Sequence, residues 1–141
     1  MRGALEKQVR DAHLERHVFL AGFRADALAL TKGFDLYSVS SDAEGTCAAL
    51  IDAMAAAKAA VATAAGAIPD VMVDGDTGFL VPPRDHAAMA ERIVVLLKDP
   101  KLRARMGEAA LKRARDRFTV ERMVEETVAV YERLARARAD L

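Results

Sequence analysis

Between residues 35 and 83, short apolar runs closed by Gly, Ser or Pro alternate with Ala-rich helical stretches, and few folds accept that alternation. D35-L36-Y37-S38-V39-S40-S41 reads as a strand, Thr46 to Lys58 as a helix, and A59-A60-V61-A62-T63 as the next strand. Ile68 to Met72 forms a short helical turn, and T77-G78-F79-L80-V81 is a further strand stopped by Pro82 and Pro83. Strands this apolar are buried on both faces, and each is followed by a crossover helix, so the pattern is that of a parallel sheet covered by helices. Upstream, A4 to A12 reads as helix, H17-V18-F19-L20-A21-G22-F23 as a buried strand, and A25 to K32 as a helix stopped near Gly33.

The last third turns wholly helical. Asp85 is a helix cap ahead of Met89, Ile93, Leu96 and Leu97 on one face, and Asp99-Pro100 is a second cap with Pro at the first helical position. Leu102, Met106, Ala109 and Ala110 give the second helix its apolar side. Thr119 opens a third, with Val120, Met123, Val124, Val128, Tyr131 and Leu134 as its stripe. The reading is α/β: one domain over residues 1–141, a Rossmann-like parallel sheet flanked by helices and ending in three amphipathic helices. The chain opens directly on a helical segment with no strand ahead of it, as expected of part of something larger.

Composition excludes several classes. Lys+Arg and Asp+Glu are both 21, which argues against a general nucleic-acid binder, and aromatics are only 5% with no Trp, which argues against a base-stacking platform. A single Cys and no signal-peptide pattern point to a reducing, cytoplasmic setting. His13 and His17 stand four apart without the carboxylate of a zinc motif, so they read as exposed and no metal site is expected. Cys47 reads as a small, half-buried residue, because no His accompanies it in the neighbouring sequence as a base. The run from Lys98 to Arg117 holds eight Lys/Arg against three Asp/Glu; it reads as a solvated helix face and leaves peripheral membrane contact as the sharper alternative.

The chemistry concentrates where a strand ends. In a parallel sheet, ligands collect at the carboxyl ends of strands. Glu44 and Gly45 lie there, and the free amides of Gly45, Thr46, Cys47 and Ala48 at the following helix start suit a phosphate. Asp52 follows about two turns on, roughly 9–12 Å along the helix, where its carboxylate can accept hydrogen bonds from a diol such as ribose.

The run DLYSVSSDAEG (35–45) with D52-A53-M54, then VATAAGAIPD (61–70) and DGDTGFLVPP (74–83), resembles the retaining "group 1" glycosyltransferases of the GT-B fold; Asp99-Pro100 and R117-F118-T119 continue the likeness. The resemblance implies a donor-binding C-terminal domain that holds a nucleoside diphosphate sugar without a metal or other cofactor. It implies Glu44 as the catalytic-site carboxylate on the sugar hydroxyls, Asp52 on the ribose, and Gly45, Thr46, Cys47 and Ala48 facing the diphosphate. Arg24 would lie beside the nucleobase. It also implies that the first strands of this domain, with the Arg and Lys that they bring to the diphosphate, and an N-terminal acceptor-binding half lie outside the chain. Uncovered edges would then favour self-association. The alternative is an inactive stand-alone nucleotide-binding or assembly module. The sequence departs from the family pattern at Asp52 (usually Glu), Cys47 and Ala57 (usually Gly), Ala59 (usually Pro) and Ala67, the second of a Gly pair.

Overall fold

A computed structural model describes residues 2–139, apart from the side chain of Ala139. The order is α1 (Arg2–Asp11), α2 (Ala27–Thr31), β1 (Tyr37–Val39), α3 (Ala48–Ala55), β2 (Ala60–Thr63), α4 (Ile68–Val71), β3 (Gly78–Val81), α5 (His86–Lys98), α6 (Pro100–Arg117) and α7 (Val120–Ala139). The three strands form one parallel sheet in the order β1-β2-β3, with Tyr37 opposite Ala60 and Ala60 opposite Gly78.

Alternation along the strands divides the core. Tyr37, Val39, Ala60, Ala62 and Leu80 face Leu50 and Met54 of α3, Ile68 and Val71 of α4, and Ala110 and Ala114 of α6. Val61, Phe79 and Val81 face Leu96 of α5 and Met106 of α6 on the other side. Every residue of β2 is buried, and its alanines leave room for a helix to pack close. α6 serves both faces because it crosses the turn between α3 and β2. At Gly107 a Cβ would stand 2.3 Å from the Ala57 carbonyl oxygen, so only glycine fits that crossing.

The expected caps are present. The carboxylate of Asp85 accepts from the Ala88 amide, that of Asp99 accepts from the Leu102 amide (both 2.9 Å), and the Thr119 hydroxyl accepts from Arg122 N. Asp74 to Gly78 is a turn, as read, with the Asp74 carboxylate accepting from Leu80 N.

One expectation fails. Residues 17–23 form no strand, and Phe19 and Phe23 are 88% and 95% exposed. The sequence has the apolarity of a strand, but a strand exists only as a paired ladder, and no neighbour takes this segment among the described residues. Helix α1 likewise buries none of its side chains.

Candidate functional site

The loop from Ser40 to Cys47 leaves the carboxyl end of β1 and is pinned from three sides. Thr63, the last residue of β2, donates its hydroxyl to the Ser41 carbonyl at 2.6 Å. Ala67 N, ahead of α4, donates to the Glu44 carbonyl at 3.2 Å. Arg84, just past β3, reaches across the end of β2 and donates Nε and Nη2 to one oxygen of Asp42 at 3.0 and 2.9 Å. Gly66 makes the second anchor feasible: it adopts a φ of 54°, and a Cβ there would stand 1.9 Å from the Glu44 carbonyl oxygen.

Glu44 is half-buried, and Ser41 Oγ donates to its Oε1 at 2.6 Å. Among the described residues Oε2 has no partner and no basic side chain pairs with Glu44. A carboxylate held by one hydroxyl and otherwise free is set up to accept from a ligand.

Helix α3 starts at Ala48 and not at Thr46, because Cys47 breaks the helical path with φ 50° and ψ 58°. That left-handed conformation explains why the resembled family has glycine here. The Cys47 side chain is buried in the cluster that holds Leu50 and Met54. The first amides to find acceptors are Leu50 and Ile51, both on the Cys47 carbonyl; those of Gly45 to Ala49 have none among the described residues. An uncapped helix start of this kind attracts an anion. Burial, with a smaller contribution from Glu44, pushes the Cys47 thiol up, which agrees with a packed residue and not a nucleophile.

Asp52 is exposed on α3 and has no ion pair among the described residues. It lines a cleft of about 520 Å³ whose opposite wall is Ala25, Asp26, Leu28 and Ala29. Arg24 stands at the end of that wall, holding Asp26 by two hydrogen bonds of 2.7 and 2.6 Å, and its guanidinium keeps the Asp26 carboxyl below the usual range. Arg24 itself does not line the cleft; the basic side chain that does so with Asp52 is Lys32.

Sequence reasoning missed Tyr37, Ser41, Thr63 and Gly66. Tyr37 is half-buried, and its hydroxyl pKa is raised first by burial, then by Cys47, Asp52 and Glu44. Its phase was readable, since it shares a strand face with Val39. The loop anchors carry no such signal, because they join residues 22 to 42 positions apart. His13, His17 and His86 are exposed, and no group of three metal-ligating side chains comes together among the described residues. No helix among them is long and apolar enough to cross a membrane.

Parallel strands, a loop and helix start at their carboxyl end, and a run of C-terminal helices define the architecture of a GT-B C-terminal domain. The chain belongs to the family described as "Glycosyl transferases group 1", whose match spans residues 2–113. It is 32% identical over 123 residues to N-acetyl-alpha-D-glucosaminyl L-malate synthase of Bacillus anthracis, covering 87% of this chain and 32% of that protein. Among solved structures it is similar to the C-terminal domain of a glycosyl transferase group 1 family protein (LpcC) from Francisella tularensis, with 29% identity and a TM-score of 0.76 over 84% of this chain and 63% of that one. It is also similar to Anabaena Alr3699/HepE, solved with UDP and with UDP-glucose: the UDP complex gives 28% identity and a TM-score of 0.81 over 99% of this chain and 36% of that one. The chain thus spans about a third or less of the length of the curated relatives that it matches.

Proposed function

We propose that the rim from Glu44 to Asp52 binds a nucleoside diphosphate sugar. The observation that carries this is the free helix start of α3 beside a hydroxyl-held Glu44, with unpaired Asp52 further along the same helix. The amides of Gly45 to Ala48 take the diphosphate, Asp52 the ribose diol, and Glu44 hydroxyls of the sugar. The cleft beside Arg24 receives the base. The UDP and UDP-glucose complexes of a similar structure support this reading.

In the complete reaction the sugar moves with retention to an acceptor hydroxyl. Stabilisation of the leaving diphosphate supplies much of the rate. That reaction needs groups beyond this chain: an acceptor-binding half, and further strands along the open edge of β1 that bring cations to the diphosphate. The exposed Phe19 and Phe23 fit this division, since a strand at 17–23 needs a neighbour. Turnover requires that donor and acceptor be held in register.

Calorimetric titration of UDP, GDP, ADP and their sugar conjugates into the chain tests the proposal. At least one conjugate should bind with a Kd between about 1 μM and 1 mM, more tightly than its bare diphosphate. Absence of binding by every conjugate at about 1 mM would overturn it.

A further inference from the structure

The carboxylate of Glu44 is held by a hydroxyl, and the residue that carries this hydroxyl is held in turn by the buried centre of the sheet. Strand β1 ends at Val39, opposite Ala62 of β2. Thr63, the next residue of β2, is 3% exposed and donates its hydroxyl to the Ser41 carbonyl at 2.6 Å. That bond carries the β1–β2 contact two residues past the end of β1, and it ties Ser41 to a strand with a neighbour on each side. From there Ser41 Oγ donates to Glu44 Oε1 at 2.6 Å, the length of a hydroxyl bonded to an ionised carboxylate.

The holding group is neutral, which matters for what the carboxylate can do. A lysine or arginine in its place would orient Glu44 but also offset its charge. A hydroxyl orients the carboxylate and leaves that charge to a ligand. The contact engages Oε1, so Oε2 keeps its full capacity to accept. An unheld Glu side chain would lose rotamer freedom each time it met a ligand. Two successive hydrogen bonds from the sheet remove much of that freedom in advance.

We infer that Ser41 is a positioning residue for the sugar, acting through Glu44, with Thr63 as its anchor. The hydroxyl proton of Ser41 is committed to Glu44, so its effect on a ligand passes through that carboxylate. This role rests on the donor reading, although the placement of Glu44 can be measured without it.

Ser41→Ala removes the hydroxyl and little else. Calorimetric titration with a bare nucleoside diphosphate and with its sugar conjugate should show the extra affinity of the conjugate reduced by about two- to tenfold, the equivalent of freeing one rotamer-rich side chain. The bare diphosphate should stay within about twofold of the parent. Ser41→Thr keeps a hydroxyl and should restore the parent's difference. Thr63→Val should weaken both ligands, because it frees the loop that carries the Gly45 to Cys47 amides as well as Ser41. A role for Ser41 in loop stability alone would weaken both ligands alike in Ser41→Ala, and that result would overturn the inference. So would unchanged affinities in Ser41→Ala when the parent prefers the conjugate. Crystal structures of the parent and Ser41→Ala without ligand separate this role from the donor reading. The Glu44 carboxylate should leave its place in the variant, and if it stays the inference fails whatever the titrations give. If it moves and the parent binds no conjugate, the donor reading fails and the placement of Glu44 by Ser41 stands.

Discussion

Residues 2–34 and residues 48–114 are both rich in apolar and helix-forming residues, yet only the second stretch closes on itself. In the second, Leu50, Met54, Val61, Ile68, Leu96 and Met106 are all at most 1% exposed. In the first, Thr31 is the one described residue that is buried, and all three phenylalanines are exposed. The difference lies in neighbours and not in composition. β2 has a strand on each side and helices above and below it, whereas the segment at 17–23 has no strand beside it among the described residues.

The sharpest way to break this contrast is to cut into each region. Leu96→Ala should cost about 2–5 kcal/mol by opening a cavity between α5 and the sheet. Phe23→Ala should cost less than about 0.5 kcal/mol, because its ring is already in water. Urea unfolding of the two variants measures both; comparable losses would mean that the two regions are equally closed. Gly107→Ala tests the closure at its tightest point and should cost about 1–3 kcal/mol, since a Cβ meets the Ala57 carbonyl.

A smaller effect of opposite sign is expected at the other side of that contact. Ala57 holds a φ of 57° where the resembled family has glycine. Ala57→Gly should therefore stabilise by about 0.5–1 kcal/mol, read as a raised thermal midpoint. No gain would mean that the turn is not strained.

The least effect concerns pH. Tyr37 and Cys47 both have raised pKa values, so folding favours their neutral forms. Their contribution is full below the unfolded-state values and is lost as pH rises through the folded ones. Stability should thus fall across the alkaline range, and Tyr37→Phe should flatten that fall; an unchanged slope would remove Tyr37 from the account.

The same contrast explains what could be read from sequence. Strands β1 to β3 were legible because alternation and apolar runs record burial, and the caps at Asp85, Asp99 and Thr119 because capping is local. The strand expected at 17–23 was misread because apolarity records a tendency to be covered and not the presence of a neighbour. At the candidate site, Glu44, Asp52 and the helix start were visible as a pattern. The anchoring of the loop by Thr63, Ala67 and Arg84 was not, since those contacts cross the ends of three strands. Nor was the left-handed turn at Cys47, which moves the helix start to Ala48.

The central claim is that Glu44 and Asp52 serve different parts of one ligand, and calorimetry on two variants tests it most directly. Each variant is titrated with a bare nucleoside diphosphate and with its sugar conjugate. Asp52→Ala should weaken both ligands alike, by about 1–3 kcal/mol, because both carry the ribose. Glu44→Gln should leave the bare diphosphate unchanged and erase the extra affinity of the conjugate, since each residue couples to a separate part of the ligand. If Glu44→Gln instead weakens the bare diphosphate as strongly as Asp52→Ala does, the two carboxylates act as one electrostatic unit at the start of α3, and the assignment of sugar and ribose contradicts the measurement.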